Sequence, residues 1–356
     1  MRNQVIVNAA ILAFGVSAAG PAFAAPAHKP VAAKTVAPKR VANGPVVLGT
    51  TQLPGDFGKV GTTYTIGKSE PINFTLRSAE YSIKPITVGM NTWVPEAGQK
   101  LLVLHYTVHN PIPREQNYCW SSIRFTAVDG QDTNHEFIQA VSREGSDQSL
   151  SLNLKPAQKL DVVTALLVPA NGVTPKLIVT REQGAPVIRY DLHGNAKALT
   201  PPYAAESDTD GATALGEVAA APGAFYPIGI FDARLDEASY VEGPLLKRDP
   251  GPGNRYITAV FTIKNSTSTP QTYTWSDFMA ELRDTDSEKV KYTQALLKAT
   301  RDEVASDTVA PGEEARIRFF FPLPKNVAAK SLRLSEGKKV GIQAARVFIF
   351  DISSAK

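Results

Sequence analysis

Between Leu101 and Asn110, Leu102, Leu104, Tyr106 and Val108 alternate with Val103, His105, Thr107 and His109. Side chains of an extended chain point to opposite faces with a period of two, so this run reads as a strand with one buried face. The pattern returns 155 positions later, with Ile257, Ala259, Phe261 and Ile263 expected inside and Thr258, Val260, Thr262 and Lys264 outside. The echo runs without a gap from Leu101–Asp129 to Tyr256–Asp284. It matches Thr107 with Thr262, Asn110 with Asn265, Tyr118 with Tyr273, Trp120 with Trp275, Ser121 with Ser276 and Asp129 with Asp284. The same offset pairs Pro156 with Pro311 and Pro169 with Pro324. A repeat of about 120 residues marks a duplicated domain rather than a solenoid unit.

The remaining pattern fills in each copy. INFTLRSAEYSI, after Pro71, reads as a strand. Turn-rich loops (NPIPREQN, NSTSTPQ) lead to a strand expected to run through Tyr118, Trp120 and Phe125 to Asp129-Gly130. Pro-led turns then open strands with Leu160, Val162 and Leu166, or Ala315, Ile317 and Phe321, facing inward. Closing strands are expected at 176–180 and 187–192, and at 331–334 and 347–352. Residues 138–147 and 293–304 are expected to hold a short helix or an ordered loop. Short strands recurring at roughly eight to fifteen residues predict an all-β protein with two tandem immunoglobulin-like antiparallel sandwiches. Tyr and Trp two apart share a strand face, so the expected core is Tyr106, Tyr118 and Trp120 in one copy and Phe261, Tyr273 and Trp275 in the other. Trp93, in the loop MNTWVPE, has no aligned partner; it reads as rim packing and is also the exposed-aromatic candidate for a contact site.

Outside the repeats the chain changes character. Arg2, the apolar run Val5–Ala19 and the small-x-small site Ala22-Phe23-Ala24 fit a signal peptide over 1–24. Residues 25–44 are Ala, Pro, Val and base without acid, a composition expected to stay disordered. Arg2, Lys29, Lys34, Lys39 and Arg40 are five of the chain's 38 basic residues, and the 33 that remain face 34 acidic ones. The basic balance therefore belongs to the tail, where Lys29, Lys34, Lys39 and Arg40 could make weak contact with an anionic surface, and it is no sign of nucleic-acid binding. A β-like lead-in (45–69), the first repeat (70–193), an Ala/Pro/Gly/Asp-rich flexible linker (194–223) and the second repeat (224–356) complete the plan. No later stretch is long enough to span a membrane. The single cysteine, Cys119, rules out an internal disulfide and reads as a small buried or strand-edge residue.

Candidate chemistry is sparse. His105 and His109 would meet one metal on a helix, but along a strand they stand roughly 13 Å apart. Asp129-Gly130-Gln131-Asp132 and Asp284-Thr285-Asp286-Ser287-Glu288 are acidic hairpin tips, suited to turn geometry and, alternatively, to calcium. Gly67-Lys68-Ser69 resembles the end of a phosphate loop, but Gly61 is one residue too far away and no helix pattern follows. No nucleophilic elbow, Cys/His dyad or dinucleotide turn is present, so no catalytic residue, metal or cofactor is expected.

The strands LLVLHYTVHN and YITAVFTIKN, the polar turn after each, the Asp-ended aromatic strand and the Pro-led turn resemble the telokin-like, immunoglobulin-fold domain of unknown function, family 4352. The markers are Asn110, Asp129 and Pro156, then Asn265, Asp284, Pro311 and Gly312. The resemblance implies an extracytoplasmic interaction or envelope module without catalytic residues. Many such proteins are lipoproteins, and this chain lacks the lipobox cysteine. The expectation is thus an exported (periplasmic, cell-surface or secreted) non-catalytic scaffold for an unidentified protein or envelope polymer. The alternative is a calcium- or carbohydrate-binding envelope protein using the hairpin tips or Trp93.

Overall fold

A computed structural model describes residues 57–290, 293–337 and 344–356. The expected signal peptide, the basic tail with Lys29, Lys34, Lys39 and Arg40, and most of the lead-in lie outside the described residues.

The alternating runs form strands, and the strands stack as two β-sandwiches. In the first, Gln99–His109 is central, flanked by Ile72–Ser82 and Lys159–Pro169, with Thr63–Ile66 and Ser142–Arg143 at the edges. Its opposing sheet runs in the order Ile188–Asp191, Lys176–Thr180, Arg124–Val128, Asn134–Glu136. In the second, Asn254–Asn265 lies between Phe231–Val241 and Glu314–Pro324, with Tyr226–Ile228 and Leu297–Lys298 outermost. Facing it are Glu217–Ala220, Val347–Asp351, Ala329–Glu336, Phe278–Asp284 and Lys289–Val290. Pairing is antiparallel except where Glu217–Ala220 runs parallel to Val347–Asp351, Ala196–Lys197 parallel to Ile72–Ser82, and Gly58 bridges Tyr190 in parallel. Rings cross each gap: Tyr106 meets Phe125 at 5.1 Å, and Phe261 meets Phe350 at 5.1 Å. Such pairs add to the area they bury.

The sandwiches repeat each other in detail. Ile72–Ser82 bulges between Leu76 and Ser78, and Phe231–Val241 between Leu235 and Glu237. The bulged residue is Arg77 in one and Asp236 in the other. Arg77 pairs with Asp161 at 3.7 Å, and Asp236 with Arg316 at 3.2 Å, the same contact with its charges exchanged. Asp129 and Asp284 each close a hairpin by accepting two backbone amides on Oδ1, from Gln131 and Thr133 and from Asp286 and Glu288.

Several expectations change. The face opposite the core is not solvated throughout. Leu101, Val103 and Ala165 form a second buried cluster under Ile86 and Ile138, and Tyr256, Leu297 and Phe320 form another. Thr258, Val260 and Thr262 are accordingly buried, because neighbouring strands and loops cover that face as well. No α-helix occurs among the described residues; 138–147 and 293–304 contribute the short strands Ser142–Arg143 and Leu297–Lys298. Trp93 is not on a loop but in the hairpin of Ile86–Val88 with Asn91–Trp93, and it is half-buried. Thr63–Ile66, in the expected lead-in, is an edge strand of the first sandwich.

The segment 194–223 is packed rather than a flexible linker. Leu199, Tyr203, Ala212, Ala214 and Val218 are buried in the core cluster that includes both sandwiches. Lys100, wholly buried, donates from Nζ to the carbonyls of Ala170 and Gly172 in the first sandwich and of Ala212 in this segment, with the Tyr81 ring 4.4 Å away. Arg346, leading into the last strand, donates to Leu215 of the segment and to Pro95 and Gln99 of the first sandwich. The described residues, from Phe57 to Lys356, fall in one compact unit. The segment's composition is that of a linker because its apolar residues are mostly alanines, and its backbone groups rather than large side chains hold it down.

Candidate functional site

The strand expected through Tyr118, Trp120 and Phe125 breaks in the middle. Gln116–Cys119 pairs with Ser151–Leu154, the chain makes a 3-10 turn over Trp120–Ser122, and Arg124–Val128 continues in the facing sheet. The second copy does the same: Gln271–Thr272 pairs with Thr308–Val309, then Trp275–Asp277 turns into Phe278–Asp284. A turn resets the two-residue alternation. Tyr118 and Tyr273 therefore point inward at 1% and 2% exposure, whereas Trp120 and Trp275 are each 45% exposed. Tyr106, Phe261, Tyr118 and Tyr273 are core as expected, but the two tryptophans are not.

Both turns are held firmly. The amide of Cys119 donates to Ser122 Oγ at 3.0 Å, and that of Thr274 to Asp277 Oδ2 at 2.6 Å. The last carbonyl of each turn is also anchored, Ser122 by the Arg181 guanidinium at 2.9 Å and Asp277 by the Gly337 amide at 2.8 Å. Gly337 lies so close that a Cβ there would collide with the carbonyl oxygen of Ser276. Arg181 also donates to Glu70 O, and its neighbour Glu182 accepts the amides of Lys68, Ser69 and Glu70. Partial burial raises the pKa of Glu182, but those three amides outweigh it and bring the carboxyl down to about 2. The stretch that resembled a phosphate loop is thus an amide cradle filled by the chain's own carboxylate.

Beside each tryptophan lies a two-stranded ribbon with a neutral polar outer row. In the first copy Asn117, Ser151 and Asn153 are exposed, with Asn117 Nδ2 3.4 Å from Asn153 Oδ1. In the second Thr272 and Thr308 are exposed, their hydroxyls 2.7 Å apart. Cys119, on the first ribbon, is half-buried; burial pushes its thiol up, but hydrogen bonding from Ser121 and Ser122 outweighs this and lowers its pKa. Thr274 takes its place in the second copy, so the arrangement does not depend on a thiol.

The other candidates lie elsewhere. His105 Nδ1 is 2.9 Å from Glu144, while His109 Nδ1 accepts from Asn73 at 3.0 Å, so the two histidines serve separate partners. A shallow depression of about 690 Å³ covers the open face of the first sandwich, over the row Thr63, Thr75, Thr107 and Asp161. Its hydroxyls are engaged with one another or with Asp161: Thr63 with Thr75 at 2.7 Å and Thr107 with Asp161 at 2.5 Å. Asp129 and Asp284 use Oδ1 on their own hairpins, and Asp129 Oδ2 meets His135 at 2.9 Å. Among the described residues no three His, Cys, Asp or Glu side chains gather as a metal would require. No described helix is long and apolar enough to cross a membrane.

No family model matches the chain, and no curated protein does. Among solved structures it is similar to an uncharacterized β-sandwich protein of Clostridium difficile 630, at 13% identity over 38% of this chain and 91% of that one, with a TM-score of 0.29. A secreted protein of Mycobacterium tuberculosis, MPT63, matches at 16% identity over 38% of this chain and 96% of its own, with a TM-score of 0.28. The yjhA protein of Bacillus subtilis matches at 13% identity over 37% of this chain and 98% of its own, with a TM-score of 0.26.

Proposed function

We propose that the chain is an exported, non-catalytic interaction module built from a duplicated immunoglobulin-like unit, with one binding ribbon in each copy. The observation that carries this reading is the matched exposure of Trp120 and Trp275, 45% each, on two separately anchored turns. Tryptophan is highly buried on average, and leaving half of a large apolar ring in water forgoes stabilisation on the order of 1 kcal/mol. Two copies that have diverged elsewhere both accept that loss in the same place. Rigid exposed aromatics are efficient anchors, because little side-chain freedom is lost when they bind. The signal-like pattern of residues 1–24 and the resemblance to the telokin-like family support a setting outside the cytoplasm. The basic tail, with Lys29, Lys34, Lys39 and Arg40, would add a weak, salt-sensitive contact with anionic surfaces.

Co-sedimentation with isolated bacterial cell envelope tests the reading. The full mature chain should pellet with envelope, and Trp120→Ala/Trp275→Ala should not, at unchanged thermal stability. Deletion of residues 25–43 should remove only the part of the binding that salt releases. A double tryptophan variant that pellets like the parent overturns the role given to the ribbons.

A further inference from the structure

The chemistry around the two rings narrows what they can hold. An apolar protein partner needs a contiguous apolar patch at the centre of its interface. Here the ribbon leading into each turn has a neutral exposed outer row, Asn117, Ser151 and Asn153 before Trp120 and Thr272 and Thr308 before Trp275, and the adjoining Asp307 accepts from the Tyr273 hydroxyl at 3.5 Å. None of the four ribbon strands, Gln116–Cys119, Ser151–Leu154, Gln271–Thr272 and Thr308–Val309, contains a charged residue. A nucleic acid or an anionic polymer would call for cations in that row. The one acidic group within the turns, Asp277, is occupied by the amide and hydroxyl of Thr274 at 2.6 and 2.9 Å. A flat aromatic face bordered by amides and hydroxyls matches a pyranose ring, whose C–H face is apolar and whose rim is a band of neutral hydroxyls.

Resting on the reading of the ribbons as the binding surface, we propose that each ribbon is a subsite for a neutral polysaccharide. A sugar ring stacks on Trp120 or Trp275, and its hydroxyls bond to Asn117 and Asn153 or to Thr272 and Thr308. Leu199, Tyr203 and Val218 of 194–223 share one buried cluster with residues of both sandwiches, so the two subsites are carried by one folded unit.

The test is retention of the mature chain on immobilised glucomannan, galactomannan and mixed-linkage β-glucan, with alginate as the anionic comparison. At least one neutral polymer should retain it, and retention should persist at about 0.5 M salt, where charge pairing is screened. Trp120→Ala or Trp275→Ala should each weaken binding about tenfold, the loss of one stacking contact. Trp120→Phe and Trp275→Phe, which keep a ring, should bind more tightly than the alanine variants, and this control guards against simple misfolding. Asn117→Ala/Asn153→Ala should weaken binding while both tryptophans remain. Retention on no neutral polymer, retention on alginate alone, or alanine variants that bind like the parent would each overturn the proposal. If envelope pelleting nevertheless stays tryptophan-dependent and is abolished by protease treatment of the envelope, the ribbons bind a protein: the sugar assignment fails and the module reading survives.

Discussion

One amide side chain organises a whole loop in each copy. Asn110 Nδ2 donates to the carbonyls of Arg114 and Leu154, and Asn265 Nδ2 to those of Thr269 and Val309, at 2.7–2.9 Å. Their Oδ1 atoms accept the amides of Ile112 and Thr267, and their own carbonyls accept the amides of Ala157 and Gly312. This is why the repeat keeps asparagine there: no other neutral side chain of that length both donates twice and accepts. Ala157 and Gly312 both have positive φ, 59° and 75°, a region that costs an L-residue on the order of 1 kcal/mol and glycine little. Ala157→Gly should therefore raise stability by up to about 1 kcal/mol in chemical denaturation, less the extra freedom of the unfolded chain. A loss of stability would mean that the strain is not there. The aligned asparagines, aspartates and prolines made these turns legible in the sequence. The direction of Trp120 and Trp275 was not legible, because the Tyr-x-Trp spacing looks the same whether the strand continues or turns after Cys119 and Thr274.

At the level of elements, the long strands were readable wherever one face is polar. The pattern does not show where a second layer covers that face, since Val260 or Thr262 in a partly covered sheet looks like any exposed position. The order of segment 194–223 is invisible in the sequence for a different reason. Its order comes from backbone hydrogen bonds such as Leu199 to Gly211, Leu215 to Tyr203 and Ala214 to Ala170, which composition does not register. Lys100 fixes it to the first sandwich. Burial lowers the ammonium's pKa to about 8, against a smaller opposing effect of Asp208, and the three carbonyls give each N–H an acceptor. Lys100→Met keeps much of the volume but strands those buried carbonyls, at about 3 kcal/mol. The variant should unfold at lower denaturant and be cleaved within 199–215 by limited proteolysis. Unchanged stability together with an intact segment would contradict the docking role.

Across the whole molecule, the two sandwiches and the segment between them share one buried cluster, and Arg346 ties all three together. Tyr203 of the segment meets Tyr226 of the second sandwich edge-on at 6.5 Å, extending that core. Trp120 and Trp275, each 45% exposed, are thus carried by one folded unit, as the proposed pair of ribbons requires. The chain's three tryptophans make this directly visible, because each indole N–H gives its own signal in a proton–nitrogen correlation spectrum. Phenylalanine variants assign the three, and the chain is then titrated with a soluble fragment of whichever neutral polymer retains it. The signals of Trp120 and Trp275 should shift or broaden while that of Trp93, half-buried in its hairpin, stays in place. Movement of Trp93 alone, or of none of the three while binding proceeds, would contradict the assignment of the ribbons.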